Sequence, residues 1–151
     1  MAAQAECTDP AGPNVNWAGC LMKGQNLAGK NLSGANLNAI VLSGANLAGA
    51  NLSGTNLIEA KLDDANLSGA DLSGANAQEV FFMYANMSGA NLSNANLTKS
   101  SLNSVNLKNA NLTNANLTSV KLNNAAWTDG VKICAQGSIG QCHSVTPSHR
   151  N

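Results

Sequence analysis

Aromatic carbon is scarce in this chain, which has two Trp, two Phe and one Tyr in 151 residues. A core with so few rings has to be narrow and filled by small, uniform side chains, and Leu and Ala are what the chain has in quantity. Charge is scarce too. Eight basic residues balance eight acidic ones, so no strong field draws the chain to nucleic acid or to an acidic membrane surface. Solubility falls to Asn, Ser, Thr and Gly. No apolar run approaches the roughly 18 residues of a membrane span. Catalytic material is almost missing as well: His143 and His149 lie near the C-terminus, in a stretch expected to be a mobile tail, and no Ser or Cys arrangement suggests an activated nucleophile held in place by a base. The length suits one domain, and the composition predicts a protein that is not an enzyme, with no cofactor and no dedicated metal site.

What the chain does have is a beat. Counting by fives from Met22 to Leu122 gives twenty-one positions, seventeen of them Leu, with Met22, Ala77, Phe82 and Met87 as the exceptions. Nothing is inserted or lost across that span. A period of five fits neither a strand face at 2.0 nor a helix face at 3.6. It fits a chain that turns a corner every five residues, burying the Leu and the small residue two before it. The expected core ladder is Leu27, Leu32, Leu37, Leu42, Leu47, Leu52, Leu57, Leu62, Leu67, Leu72, Phe82, Met87, Leu92, Leu97, Leu102, Leu107, Leu112, Leu117 and Leu122.

A second period overlies the first. From Asn16 to Asn116 the residue before the beat is Asn or Asp, except at Leu21, Val41, Lys61, Phe81 and Ser101; Lys121 continues that exception, and Ala126 adds one of its own. The exceptions from Leu21 to Lys121 are spaced by twenty, so four pentapeptides make one coil and one of its four sides differs. Units such as Ala45-Asn46-Leu47, Ala65-Asn66-Leu67 and Ala90-Asn91-Leu92 resemble the A-(N/D)-L-x-x motif of the pentapeptide-repeat family. That resemblance implies an all-β fold, a right-handed quadrilateral β-helix whose coils stack about 4.8 Å apart. Stacked Asn amides are expected to hydrogen-bond from coil to coil.

The ends break the beat. Residues 1–20 read as an N-terminal cap, 21–129 as the β-helix, and 130–151 as a C-terminal cap with a mobile tail from His143. Trp17 and Trp127 stand at the two limits of the rod. The four cysteines fall outside the Leu-rich centre in two local pairs, Cys7 with Cys20 and Cys134 with Cys142, which suggests disulfides made in an oxidising compartment; other pairings are compatible with the spacing. MAAQAEC reads as an initiator Met before the mature end of a removed export signal. A periplasmic or secreted bacterial protein is expected.

Two constellations stand out. On the differing side, Leu21, Val41 and Phe81 are expected to project outward, with Met83 and Tyr84 on the same coil as Phe81, as an apolar contact patch for a protein partner or for self-association. The alternative is a local bulge near Ala77. The second is an acidic ladder, Glu59 and Glu79 followed by Lys99, which reads as a solvated surface patch and more weakly as a cation site. The family resemblance brings a further alternative, a DNA mimic acting on a type II topoisomerase. Such mimicry needs a strongly acidic rod, and between Val15 and Thr128 five acidic residues face six basic ones. A non-enzymatic structural or interaction module is the favoured expectation.

Overall fold

The computed structural model describes residues 5–144. Each pentapeptide contributes a short extended piece and a corner. The residue before the beat pairs in parallel with the residue twenty later, from Asn16↔Asn36 to Asn106↔Ala126. Pairing therefore starts at Asn16, inside the stretch expected to be cap. At a typical repeat the Leu47 N–H donates to the Asn66 carbonyl at 2.7 Å, Gly49 to Ser68 at 2.9 Å, and Asn66 returns a bond to the Ala45 carbonyl at 2.9 Å. The corner closes through the Ala50 N–H to the Leu47 carbonyl at 3.0 Å, with Gly49 at φ 65°. A left-handed third residue is what a type II turn requires, and Gly enters that region without a Cβ clash.

The Asn and Asp side chains that precede the beat cap turns within their own coil. Asn46 Oδ1 accepts from the Ala48 N–H at 3.1 Å, and Asn51, Asn66, Asp71, Asn91 and Asn111 cap their own turns in the same way. This corrects the expected coil-to-coil amide ladder. An Asn reaches the backbone two residues on before it reaches a neighbouring amide, so the Asx turn wins.

Every member of the predicted core ladder except Leu112 and Leu117 is buried, Phe82 and Met87 included. Those two leucines are half-buried at the C-terminal end. No bulge forms at Ala77, whose N–H donates to the Asn96 carbonyl at 2.7 Å while Phe81 pairs with Ser101 in register. What changes there is the corner bond. The fully buried Ser100 hydroxyl accepts from the Val80 N–H at 3.0 Å and donates to the Ala77 carbonyl, bridging a turn that elsewhere closes directly. Ser100→Ala strands both backbone groups and is expected to cost about 1–3 kcal/mol in urea unfolding.

Both expected disulfides are present, Cys7–Cys20 and Cys134–Cys142. Trp17 is buried under the first coil and Trp127 is half-buried near the last. At the C-terminal end the chain doubles back in antiparallel pairs, Ala126↔Ile133 and Lys121↔Ile139, and Cys134 pairs with Ser144. His143, expected to begin a mobile tail, is held by this cap: its carbonyl accepts from the Ala135 N–H at 2.6 Å. The rest of the expected tail, from residue 145, lies outside the described residues, as do residues 1–4.

Candidate functional site

The ladder of exceptions is one continuous column, with Leu21, Val41, Lys61, Phe81, Ser101 and Lys121 bridged in sequence. Leu21 is 81% exposed, Phe81 45% and Tyr84 63%; Met83 is at the edge of exposure and Val41 is half-buried. One corner before this column runs a second ladder, Ala39, Glu59, Glu79 and Lys99. A single small or β-branched buried residue separates the two in each coil, as in Glu59-Ala60-Lys61 and Glu79-Val80-Phe81. The two ladders line one open groove of about 590 Å³ that runs from Ala39 and Val41 to Lys121.

Periodicity treats the acidic ladder and the apolar patch as separate constellations, and the structure joins them. It brings Val41 and Phe81 together with Glu59, Glu79, Lys61 and Lys99, and leaves Leu21, Met83 and Tyr84 outside the groove. Glu-x-Lys and Glu-x-Phe, two residues apart across a corner, are the sequence signal for this adjacency. Among the described residues the one ion pair is Asp129–Lys132 at 3.6 Å, so the groove's charges are free to meet a ligand. Also among them, no group of three or more His, Cys, Asp or Glu gathers in a way that would hold a metal. Glu59 and Glu79 therefore have no third carboxylate, His or Cys gathered with them.

Backbone conformation marks the same region independently. At the two corners flanking the exceptional column, side chains stand in the left-handed region: Ala39, Glu59, Glu79 and Lys99 on one, Asp64, Tyr84 and Ser104 on the other, with φ between 56° and 62°. The other corners use Gly34, Gly54 and Gly74, and Gly29, Gly49, Gly69 and Gly89, together with Asn14, Asn94, Asn109 and Asn114, whose short amide tolerates this region. A non-Gly residue there costs on the order of 1–2 kcal/mol, and such strain gathers where function needs a side chain. Glu79→Gly should accordingly be neutral or stabilising by up to about 1 kcal/mol, the relief being partly offset by unfolded-state entropy. A clear loss in the urea midpoint would contradict this.

Asp63 lies beside that second corner. Partial burial raises its carboxyl above the usual value, opposed by hydrogen bonding to the Met83 backbone. Because the folded state holds this proton more tightly than the unfolded chain, its contribution is fully present below the ordinary Asp range and is lost as pH rises through the elevated value. Asp63→Asn is expected to flatten that small acid-side decline.

A family model for pentapeptide repeats, in eight copies, matches residues 40–76 and 85–124. The chain belongs to the pentapeptide-repeat family. As such it is a right-handed β-helix, and the repeat model lapses over residues 77–84, the segment that carries Glu79, Phe81, Met83 and Tyr84. Among solved structures it resembles the pentapeptide-repeat protein Rfr23 from the cyanobacterium Cyanothece 51142, with 27% identity and a TM-score of 0.70 over 74% of this chain and 90% of that one. It also resembles a trypsin-treated form of QnrB1, a plasmid-mediated fluoroquinolone resistance protein, at 18% identity and a TM-score of 0.50 over 82% of this chain and 74% of that one. The second likeness speaks to fold alone. No curated protein sequence matches the chain.

Proposed function

We propose that this pentapeptide-repeat protein is a non-enzymatic interaction rod, four-sided in section, that docks an extended segment of a partner protein along the groove between the Glu59/Glu79 and Lys61/Phe81 ladders. The observation that carries this reading is coincidence of place. The missing Asn, the left-handed side chains other than Asn, such as Glu59, Glu79, Lys99 and Tyr84, the exposed Phe81 and the lapse in the repeat model all gather at this side of the rod. Stacking fixes the groove's side chains at strand spacing, so an extended chain running along the rod axis meets carboxylates near Glu59 and Glu79 and ammonium groups near Lys99 and Lys121.

The paired cysteines support an oxidising location, periplasmic or secreted. A DNA-mimic role finds no support in the near-neutral rod, since phosphate mimicry needs a dense run of negative charge. The test is a photo-crosslinker at position 81, with position 91 on another ladder as control, applied to an envelope extract. A protein captured from 81, not from 91, and lost with Lys61→Glu is the expected result. Identical capture from both positions would sink the groove reading.

A further inference from the structure

The C-terminal end of the rod is a step. Cap strands roof one half of the last coil: Leu122 N–H donates to the Ser138 carbonyl at 2.9 Å, Gly140 to Val120 at 2.9 Å, Trp127 to Lys132 at 2.8 Å and Cys134 to Ala125 at 2.9 Å. The other half, through Leu112 and Leu117, has no roof among the described residues. Among the described residues the N–H groups of Leu112 and Leu117 and the carbonyls of Ala110 and Ala115 have no partner, although their counterparts on Leu92, Leu97, Ala90 and Ala95 all pair with the coil above. Leu112, Ala115 and Leu117 are half-buried where Leu92, Ala95 and Leu97 are buried.

The raised half carries the matching deficit. Ile133 and Ile139 are the central residues of the two cap strands, and their neighbours turn their polar groups down to the rod. In an antiparallel pair the central N–H and C=O then point away from it, and those of Ile133 and Ile139 have no partner among the described residues. The side chains are 50% and 58% exposed, and nearby Val131 is 84% exposed. Unpaired strand edges beside exposed apolar surface are a template for another chain.

We propose that this step is the interface of a twofold homodimer in which the cap of each copy roofs the open half of the other. Turning a second copy about an axis perpendicular to the rod lays its Ile139 strand over Leu117 in parallel orientation. The Leu117 N–H then meets the Ile139 carbonyl of the second copy, and that Ile139 N–H meets the Ala115 carbonyl. Ile133 serves Leu112 and Ala110 in the same way. This is the bond pattern of every inner coil carried across the joint, and as an isologous contact it closes at two copies. A strand from an unrelated protein would satisfy the open half and leave the Ile133 and Ile139 groups unpaired. A second copy satisfies both.

The proposal is tested by mass in solution across a dilution series, read together with amide hydrogen exchange. A dimer is expected, with the Leu112 and Leu117 amides protected as well as those of Leu92 and Leu97, and with that protection lost on dilution. Ile139→Lys and Val131→Asp, both at exposed cap positions, should each weaken the dimer at least about tenfold while the unfolding midpoint of the dilute monomer stays unchanged, and Phe81→Ser should leave the dimer intact. A monomer at every concentration overturns the proposal, as does a dimer that ignores both cap variants. A chain ending at Ser144 should still dimerise. If that truncation instead deprotects Leu112 and Leu117 in a monomer, the chain's own terminal segment is the roof and the homodimer is wrong.

Discussion

Replacing Phe82 with Ala is expected to lower the unfolding free energy by about 3–5 kcal/mol, among the larger losses available to a single substitution here. Phe82 is the one ring on the inner beat between the terminal indoles, and it is fully buried. It shares its coil with Ala77, also fully buried, where the beat drops from Leu to Ala. In a section this narrow, a ring on one side and a methyl on the next together approximate the volume of two leucines. Ala77→Leu restores the family motif and is nonetheless expected to destabilise by about 1–3 kcal/mol through overpacking. The double variant Ala77→Leu, Phe82→Leu should cost less than the sum of its parts, with a coupling of about 0.5–3 kcal/mol in a urea-unfolding cycle. A stabilising Ala77→Leu in the otherwise native chain would refute this volume exchange.

The second large effect belongs to the C-terminal disulfide. Converting Cys134 and Cys142 together to Ala is expected to cost about 2.5 kcal/mol from loop closure across their separation of eight residues. The loss should be local. Cys134 is fully buried, its N–H and carbonyl pair with Ala125 and Asn124, and Asn123 Oδ1 holds the Gly137 N–H of the same loop at 2.6 Å. Freed of its clasp, the cap should fray, so the amides of Leu122, Asn124 and Trp127 exchange faster while those of Leu47 and Leu67 keep their protection. Uniform loss along the rod would mean that the cap governs global stability instead.

Much of the fold was legible because stacking constrains every residue in the same way. A side chain at Leu47 or Leu67 is inward whichever coil it occupies, so the beat records the core, and a fault in one ladder, from Leu21 to Lys121, recurs at twenty. The cysteine pairs were legible because each is local. The role of Asn was misread because a period reports which residues stack and not which bond each makes; Asn46 faces a neighbouring amide and its own backbone, and the shorter reach wins. The groove needed the lateral placement of Glu79 beside Phe81 across a corner, which a ladder-by-ladder reading separates. The open half-coil at Leu112 and Leu117 was hidden for a different reason. It depends on where the antiparallel cap returns, and residues 130–144 have no period from which to read that.

The bridges that stack this rod all span the same twenty residues of chain, from Asn16↔Asn36 to Asn106↔Ala126. Closing a loop of that length costs about 2.7 kcal/mol beyond a constant, and every coil incurs it equally. The expensive event in folding is therefore the first pair of stacked coils, where two loops must close before any ladder exists. After that, each new coil adds to a finished edge. Folding should advance as a front along the axis, with the coil around Ala77 and Phe82, where Ser100 must enter to complete a turn, as the place where that front slows.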